Sequence, residues 1–394
     1  MTAQTMQIGN RPCRIYGEAH AEYLLLQMTG EHELQSMDDE VAAIAQSNRK
    51  YLFAAIPAES WNDALSPWKS PAVWGKQGFG GNAGDTLRFL TEQVVPTLVG
   101  LQGLCISCAD NYMADLPENV QNSRTLRDIL KKDSIRQQQE KFYQRAENEK
   151  KLLLSVGHVT GRTTFDKTIS LEINPSLVYH TMNETMRPQF YSGCWEIEKT
   201  VPGEIFISQG DYPLKGFHYL LQAMQEILQN CPEAHIKVAG ISVLGVNGIK
   251  SRIKIPAYGK YLRRLILKNR LEGKVRVLGN LSAEEMKREY LSAQIFVCPS
   301  AVENSPNSVA EGQLLGVPVA ASRTGGIPDV VKDGVSGLLF EKGNVHELAA
   351  CVSRILTDKQ LAKELSASER ETAAKLYNGE NNYQKLIEIY QSIE

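Results

Sequence analysis

At 394 residues the chain is long enough for two domains of ordinary size, each able to bury its own core. Its formal net charge of −2 argues against a nucleic-acid partner, and no window has the unbroken apolar length of a membrane span. Residues 1–12 are polar and lack the apolar stretch of a secretory signal, and seven cysteines without framework spacing fit a reducing compartment. A cytoplasmic protein is expected, with peripheral contact at the inner face of the membrane left open and the oligomeric state unread.

Residues 1–100 hold short apolar runs, Arg14–Gly17, Tyr23–Gln27 and Tyr51–Pro57, then a loop rich in proline and tryptophan that carries Trp61, Trp68 and Trp74. This segment resembles the opening of an α/β-hydrolase of the esterase type, a family whose nucleophile sits further on in a G-x-S-x-G elbow. The chain has no such elbow: the nearest approach, Gly240-Ile-Ser242-Val-Leu-Gly245, has the wrong spacing. Gly78-Phe-Gly80-Gly81-Asn-Ala83 meets the dinucleotide pattern, but no strand precedes it and no acidic residue follows about twenty positions on. The tryptophans read as packing for the loop rather than a sugar-stacking platform.

Cys105-Ile-Ser-Cys108 is a lone C-x-x-C and reads as two buried thiols. Asp115–Lys151, rich in Arg, Gln and Lys at helical spacing, predicts a solvated helix. Next come Gly157-His158-Val-Thr-Gly161-Arg162-Thr163-Thr-Phe-Asp166, Ile173-Asn-Pro175 and Glu184-x-x-Arg187-x-x-Phe190-Tyr191.

From Pro202 onward, strand-like runs alternate with helical patterns. The strands are Glu204–Ser208, His235–Ala239, Val275–Leu278, Ile295–Cys298 and Val317–Ala320; the helices are Lys215–Gln229, Ala257–Asn269, Ser282–Ser292 and Ser305–Leu315. This alternation predicts a doubly wound parallel sheet, whose ligands bind at the carboxyl ends of its strands. Two loops there are unusual. Ser208-Gln-Gly210-Asp-Tyr-Pro-Leu-Lys215-Gly216 puts a lysine at the opening of a helix, where its charge and the helix amides suit a diphosphate. Glu303 and Glu311, eight residues apart, flank a turn in which Ser305, Pro306 and Asn307 supply first-turn chemistry. Two carboxylates beside an anion site suit the hydroxyl-rich ends of a nucleotide sugar.

The E-x7-E spacing, the run Gly316-Val-Pro-Val and the turn Gly325-Gly326-Ile-Pro-Asp329 together resemble the retaining glycosyltransferases of family 4. Lys215-Gly216 and the segments at 157–191 extend the resemblance to residues 101–394. It implies an α/β fold of the GT-B type, two Rossmann-like domains, with an intact donor-binding domain over 202–373, a remnant of the acceptor domain over 101–201, a crossover helix over 374–394, and an atypical, hydrolase-like segment over 1–100. It further implies hexosyl transfer from a nucleoside diphosphate sugar to the hydroxyl of a glycan or lipid-linked acceptor that the sequence does not identify, with retention.

On this resemblance Glu303 lies at the donor sugar, Glu311 at the ribose, and Lys215 at the diphosphate with the amides near Ser308; these three carry catalysis. Gly210, Gly240, Gly279, Asn280, Leu281, Ser305, Asn307 and Ser308 complete the donor site. Gly210 stands where the family usually has an arginine, so the site is short of one cation. Arg162, with His158, would cross the cleft toward the diphosphate; the preferred reading makes Arg162 a domain-organising residue paired with Asp166 or a helix end. No D-x-D occurs and His20, His32, His158, His180, His218, His235 and His346 show no ligand spacing, so neither metal nor cofactor is expected. A non-catalytic nucleotide-sugar binder and, less in keeping with the missing elbow, an esterase are the competing readings.

Overall fold

The computed structural model describes strands at residues 4–8, 11–16, 23–29 and 51–57, and then residues 98–101, 103–240 and 255–393. The tryptophan loop, the glycine pattern at 78–83 and most of the 240–246 segment lie outside the described residues. Strands β1 (Gln4–Ile8), β2 (Arg11–Tyr16), β3 (Tyr23–Thr29) and β4 (Tyr51–Pro57) form a sheet of order β1-β2-β4-β3, antiparallel except for the β3–β4 pair.

The next part is built from β5 (Leu98–Gly100), α1 (Cys105–Asn111), α2 (Glu118–Gln121), α3 (Leu126–Lys131), α4 (Ile135–Ser155), β6 (His158–Gly161), α5 (Thr164–Ile173) and β7 (Val178–Thr181). Its three strands pair in parallel in the order β5-β6-β7. The single solvated helix expected over Asp115–Lys151 is three helices instead. Reciprocal capping boxes at Thr125/Asp128 and Ser134/Gln137 start α3 and α4, and Lys132 ends α3 in the left-handed conformation. Nor is this stretch wholly solvated, since α4 buries Ile135, Ala146 and Glu149 within it.

The C-terminal half follows: β8 (Glu204–Ile207), α6 (Phe217–Asn230), β9 (His235–Ala239), α7 (Ala257–Lys268), β10 (Val275–Gly279), α8 (Ala283–Ser292), β11 (Ile295–Cys298), α9 (Asn307–Leu315), β12 (Val319–Arg323), α10 (Ile327–Val330), β13 (Leu338–Glu341), α11 (Val345–Thr357), α12 (Lys359–Leu376) and α13 (Gly379–Ser392). Its six strands are all parallel, in the order β10-β9-β8-β11-β12-β13. Every residue of β8 and β11 is buried, as expected for central strands covered on both faces. The order reverses between β8 and β11, which makes their carboxyl ends the place where such sheets bind ligands.

Prolines set the departures from the expected boundaries. Pro318 cannot donate to a ladder, so β12 begins at Val319 and the Pro318 carbonyl accepts from Phe296 N–H at 2.9 Å. Pro306 forces Ser305 out of the helical region, so α9 starts at Asn307 rather than Ser305. The crossover helix expected over 374–394 is the end of α12 and then α13, a break made by Asn378, whose side chain accepts from Asn381 N–H at 2.9 Å.

Candidate functional site

The β8–α6 loop delivers Lys215. After β8 the chain makes a 3-10 turn over Pro213–Lys215, and Gly216 turns left-handed to open α6, so Lys215 projects from the loop rather than from the helix. Its Nζ donates to Glu303 Oε1 at 2.7 Å, and Ser300 Oγ donates to the same oxygen at 2.7 Å. Burial opposes the charge on Lys215, but the Glu303 carboxylate outweighs it and holds the lysine above its ordinary pKa.

The β11–α9 loop carries Glu303, and its backbone is fixed by the Gly325-Gly326 turn. Gly326 N–H donates to the Glu303 carbonyl at 3.0 Å, and a Cβ on Gly325, whose φ is +53°, would collide with that carbonyl oxygen. Among the described residues no acceptor meets the N–H groups of Asn307 and Ser308 at the start of α9. They are free for an anion. Asn307 is exposed, Ser308 half-buried and Ser305 buried.

Glu311 lies one turn further along α9, buried, with Arg187 donating to its Oε1 from Nε at 2.8 Å and from Nη2 at 2.6 Å. Burial raises the Glu311 pKa, Arg187 works against it, and the balance stays above the ordinary value. Both carboxylates that the sequence set aside for ligand hydroxyls are therefore paired with cations.

At the carboxyl ends of β9 and β10, Gly240 N–H donates to the Gly279 carbonyl at 2.9 Å. A Cβ on Gly240 would lie 3.4 Å from Gln209 Cγ, so the loops after β8 and β9 touch. Asn280 is exposed and Leu281 half-buried on the same sheet edge. Gly210 is closely packed: a Cβ there would come within 2.7 Å of Val238 Cγ2 and 3.0 Å of Phe217 Cδ1.

Arg162 does reach across from the β6–α5 loop, and it meets a helix end. Its Nη1 donates to Asn307 Oδ1 at 2.9 Å and to Glu184 Oε2 at 3.0 Å. Asp166 is engaged by the Arg162 main-chain N–H at 3.1 Å and not by the guanidinium. His158 is not brought to the site. It starts β6, at the far end of the strand from Arg162, and its Nδ1 lies 3.1 Å from His180 Nε2.

The sequence reading missed the latch around these contacts. Thr163 Oγ1 donates to Asn304 Oδ1 at 2.7 Å, Asn304 Nδ2 donates to Asp166 Oδ2 at 2.8 Å, and Thr164 N–H donates to Asp329 Oδ2 at 2.5 Å. Arg187, Asp166 and Asp329 stood inside the motifs, but nothing local showed what they would hold. Among the described residues no group of three or more His, Cys, Asp or Glu is placed to hold a metal ion, and no helix is long and apolar enough to cross a membrane.

A parallel sheet with its switch point lined by Lys215, Glu303 and Glu311 is an α/β arrangement of the GT-B type, and residues 197–372 match the family model for glycosyl transferases group 1. That match covers a little under half of the chain. The chain is similar to the D-inositol 3-phosphate glycosyltransferase of Corynebacterium urealyticum, 31% identical over 180 residues, which is 46% of this chain and 41% of that protein. It is also similar to the putative glycosyltransferase YtcC of Bacillus subtilis, 28% identical over 184 residues, 46% of this chain and 43% of that one. The match thus spans well under two thirds of these relatives. Among solved structures, the sucrose-phosphate synthase of Thermosynechococcus elongatus superposes with a TM-score of 0.63 at 14% identity, covering 94% of this chain and 99% of that one. Anabaena Alr3699/HepE in complex with UDP and glucose gives 0.62 at 15% identity, covering 95% and 100%.

Proposed function

We propose that the chain is a retaining, metal-independent glycosyltransferase of family 4 that moves a hexosyl group from a nucleoside diphosphate sugar to an acceptor hydroxyl, in cytoplasmic glycan or polysaccharide synthesis. The observation that carries this reading is the convergence of Lys215, Glu303, Glu311 and the open amides of Asn307 and Ser308 at the carboxyl ends of β8 and β11. Solved neighbours that hold UDP, UDP with glucose and UDP-glucose support a nucleotide-sugar donor.

In this reading Lys215 and the α9 amides stabilise the leaving diphosphate, Glu303 orients the sugar and Glu311 holds the ribose. The leaving phosphate helps to deprotonate the acceptor on the same face, so positioning and leaving-group stabilisation suffice. Gly240, Gly279, Asn280, Leu281 and Ser305 shape the rest of the donor pocket. The division into 1–100, 101–201, 202–373 and 374–394 belongs to the same proposal. In keeping with a join near residue 100, β1–β4 make a sheet of their own, not paired with β5–β7 among the described residues.

The test is release of nucleoside diphosphate from UDP-, GDP- and ADP-glucose, with and without EDTA, followed by NMR of the anomer formed. Release from one donor, unaffected by EDTA, with the anomeric configuration kept and rates reduced about a hundredfold or more in Lys215→Ala, is expected. Nucleotide binding without release would leave a non-catalytic binder. Release that Lys215→Ala leaves unchanged would remove the assigned site.

A further inference from the structure

Electrostatics inside the site pose a problem for the ligand proposed above. Glu303 and Glu311 are each matched by one cation, Lys215 and Arg187, so the four side chains sum to zero charge and offer a diphosphate no net attraction. Gly210 cannot supply more, because a side chain there would run into Val238 and Phe217. Arg162 is buried and its Nη1 is committed to Glu184 and Asn307.

Arg187 is placed differently. It lies on the segment leaving the carboxyl end of β7, directly before the 3-10 turn Pro188–Tyr191, with its guanidinium carbon 4.8 Å from the centre of the Phe190 ring. That ring is fully buried, so it is a fixed platform beneath the guanidinium. The side chain of Arg187 remains 44% exposed while that of Glu311 is only 5% exposed, so the open edge of the pair is the arginine's. Both donors that touch Glu311 fall on Oε1, and among the described residues neither Arg187 Nη1 nor Glu311 Oε2 has a hydrogen-bond partner.

We infer that Arg187 is a phosphate-binding residue of the donor site, held on Glu311 until a nucleoside diphosphate arrives, and that binding exchanges partners. Ligand hydroxyls donate to the carboxylate while the guanidinium, turning on Phe190, takes the phosphate oxygens. The exchange leaves no charge bare: a buried carboxylate gains hydroxyl donors as it loses part of its cation, and the cation gains an anion whose paired oxygens its planar fork can bind bidentately. Arg187 thus supplies from the other half of the chain the cation that Gly210 cannot. This inference rests on the proposed function and adds a residue to its site.

The test compares dissociation constants by titration calorimetry for UDP, GDP and ADP with those for uridine, guanosine and adenosine. The native chain, Arg187→Gln and Arg187→Lys are measured, along with Arg187→Gln combined with Glu311→Gln, which leaves no stranded buried carboxylate to unfold the site. The preference for the diphosphate over its nucleoside is expected to fall roughly ten- to a hundredfold in both variants lacking the arginine charge, while Arg187→Lys retains part of it. An equal loss for nucleotide and nucleoside would make Arg187 a mere support for Glu311 and overturn the inference, leaving the proposed function standing. If the native chain binds none of the six probes, the inference and the proposed function fall together.

Discussion

At Gly210 local packing decides which side chain can be present. The family pattern would put an arginine there, yet the contacts of a Cβ at 2.7 Å from Val238 and 3.0 Å from Phe217 leave no room for one. Gly210→Arg is therefore expected to destabilise the chain by about 1–3 kcal/mol through overpacking, measured by urea denaturation, and not to improve nucleotide affinity. Unchanged stability together with tighter nucleotide binding would contradict the packing argument and the role it leaves to Arg187.

Among the elements, α1 depends on a distant side chain. Its N-terminus has no cap of its own; Cys105 N–H donates to Glu149 Oε1 and Oε2 at 3.0 and 2.8 Å, from α4. Burial drives the Glu149 pKa from its ordinary 4.5 up to about 7, with the Cys105 and Ile106 amides pulling it partway back. Because the folded pKa is the higher one, this group costs nothing below about pH 4.5, and its penalty grows as pH rises to about 7. Glu149→Gln keeps an amide oxygen for the helix and cannot ionise. Its stability relative to the parent should climb across that window, on the order of 3 kcal/mol at most. A difference between the two proteins that is the same at pH 4.5 and pH 7.5 would show that burial of the carboxylate is not what sets its titration.

Most of the parallel sheet was legible because β8 and β11 are nearly continuous apolar runs, β9 alternates polar and apolar residues, and the helices between them repeat at helical spacing. What was not legible lay in local chemistry that periodicity overlooks. The capping boxes at Thr125 and Ser134 divide a stretch whose charge pattern alone reads as one helix, and Asn378 interrupts a pattern that otherwise runs to the C-terminus.

Across the whole molecule the two halves meet through polar groups as well as apolar ones. His218 Nε2 of α6 lies 2.8 Å from the Ala114 carbonyl, Ala257 N–H at the start of α7 donates to Asp128 Oδ2 at 3.0 Å, and Thr164 is held by Asp329. The candidate site was legible only on one side of this junction. Glu303, Glu311 and Lys215 stand in short motifs of the C-terminal half, whereas the groups that bind them from across it, Arg187 on Glu311 and Arg162 on Asn307, are separated from their partners by 124 and 145 residues. Nothing in local spacing can announce such a pair.

The proposed function requires this junction to hold a nucleoside diphosphate. Thermal unfolding of the native chain with UDP, GDP or ADP, beside Lys215→Ala and Glu311→Ala, tests it most directly. One nucleotide at a hundred times its Kd should add about 2.7 kcal/mol to the native chain, a rise of several degrees in Tm, and should leave both variants unmoved. A cooperative transition in the native chain that none of the three nucleotides shifts would contradict the account.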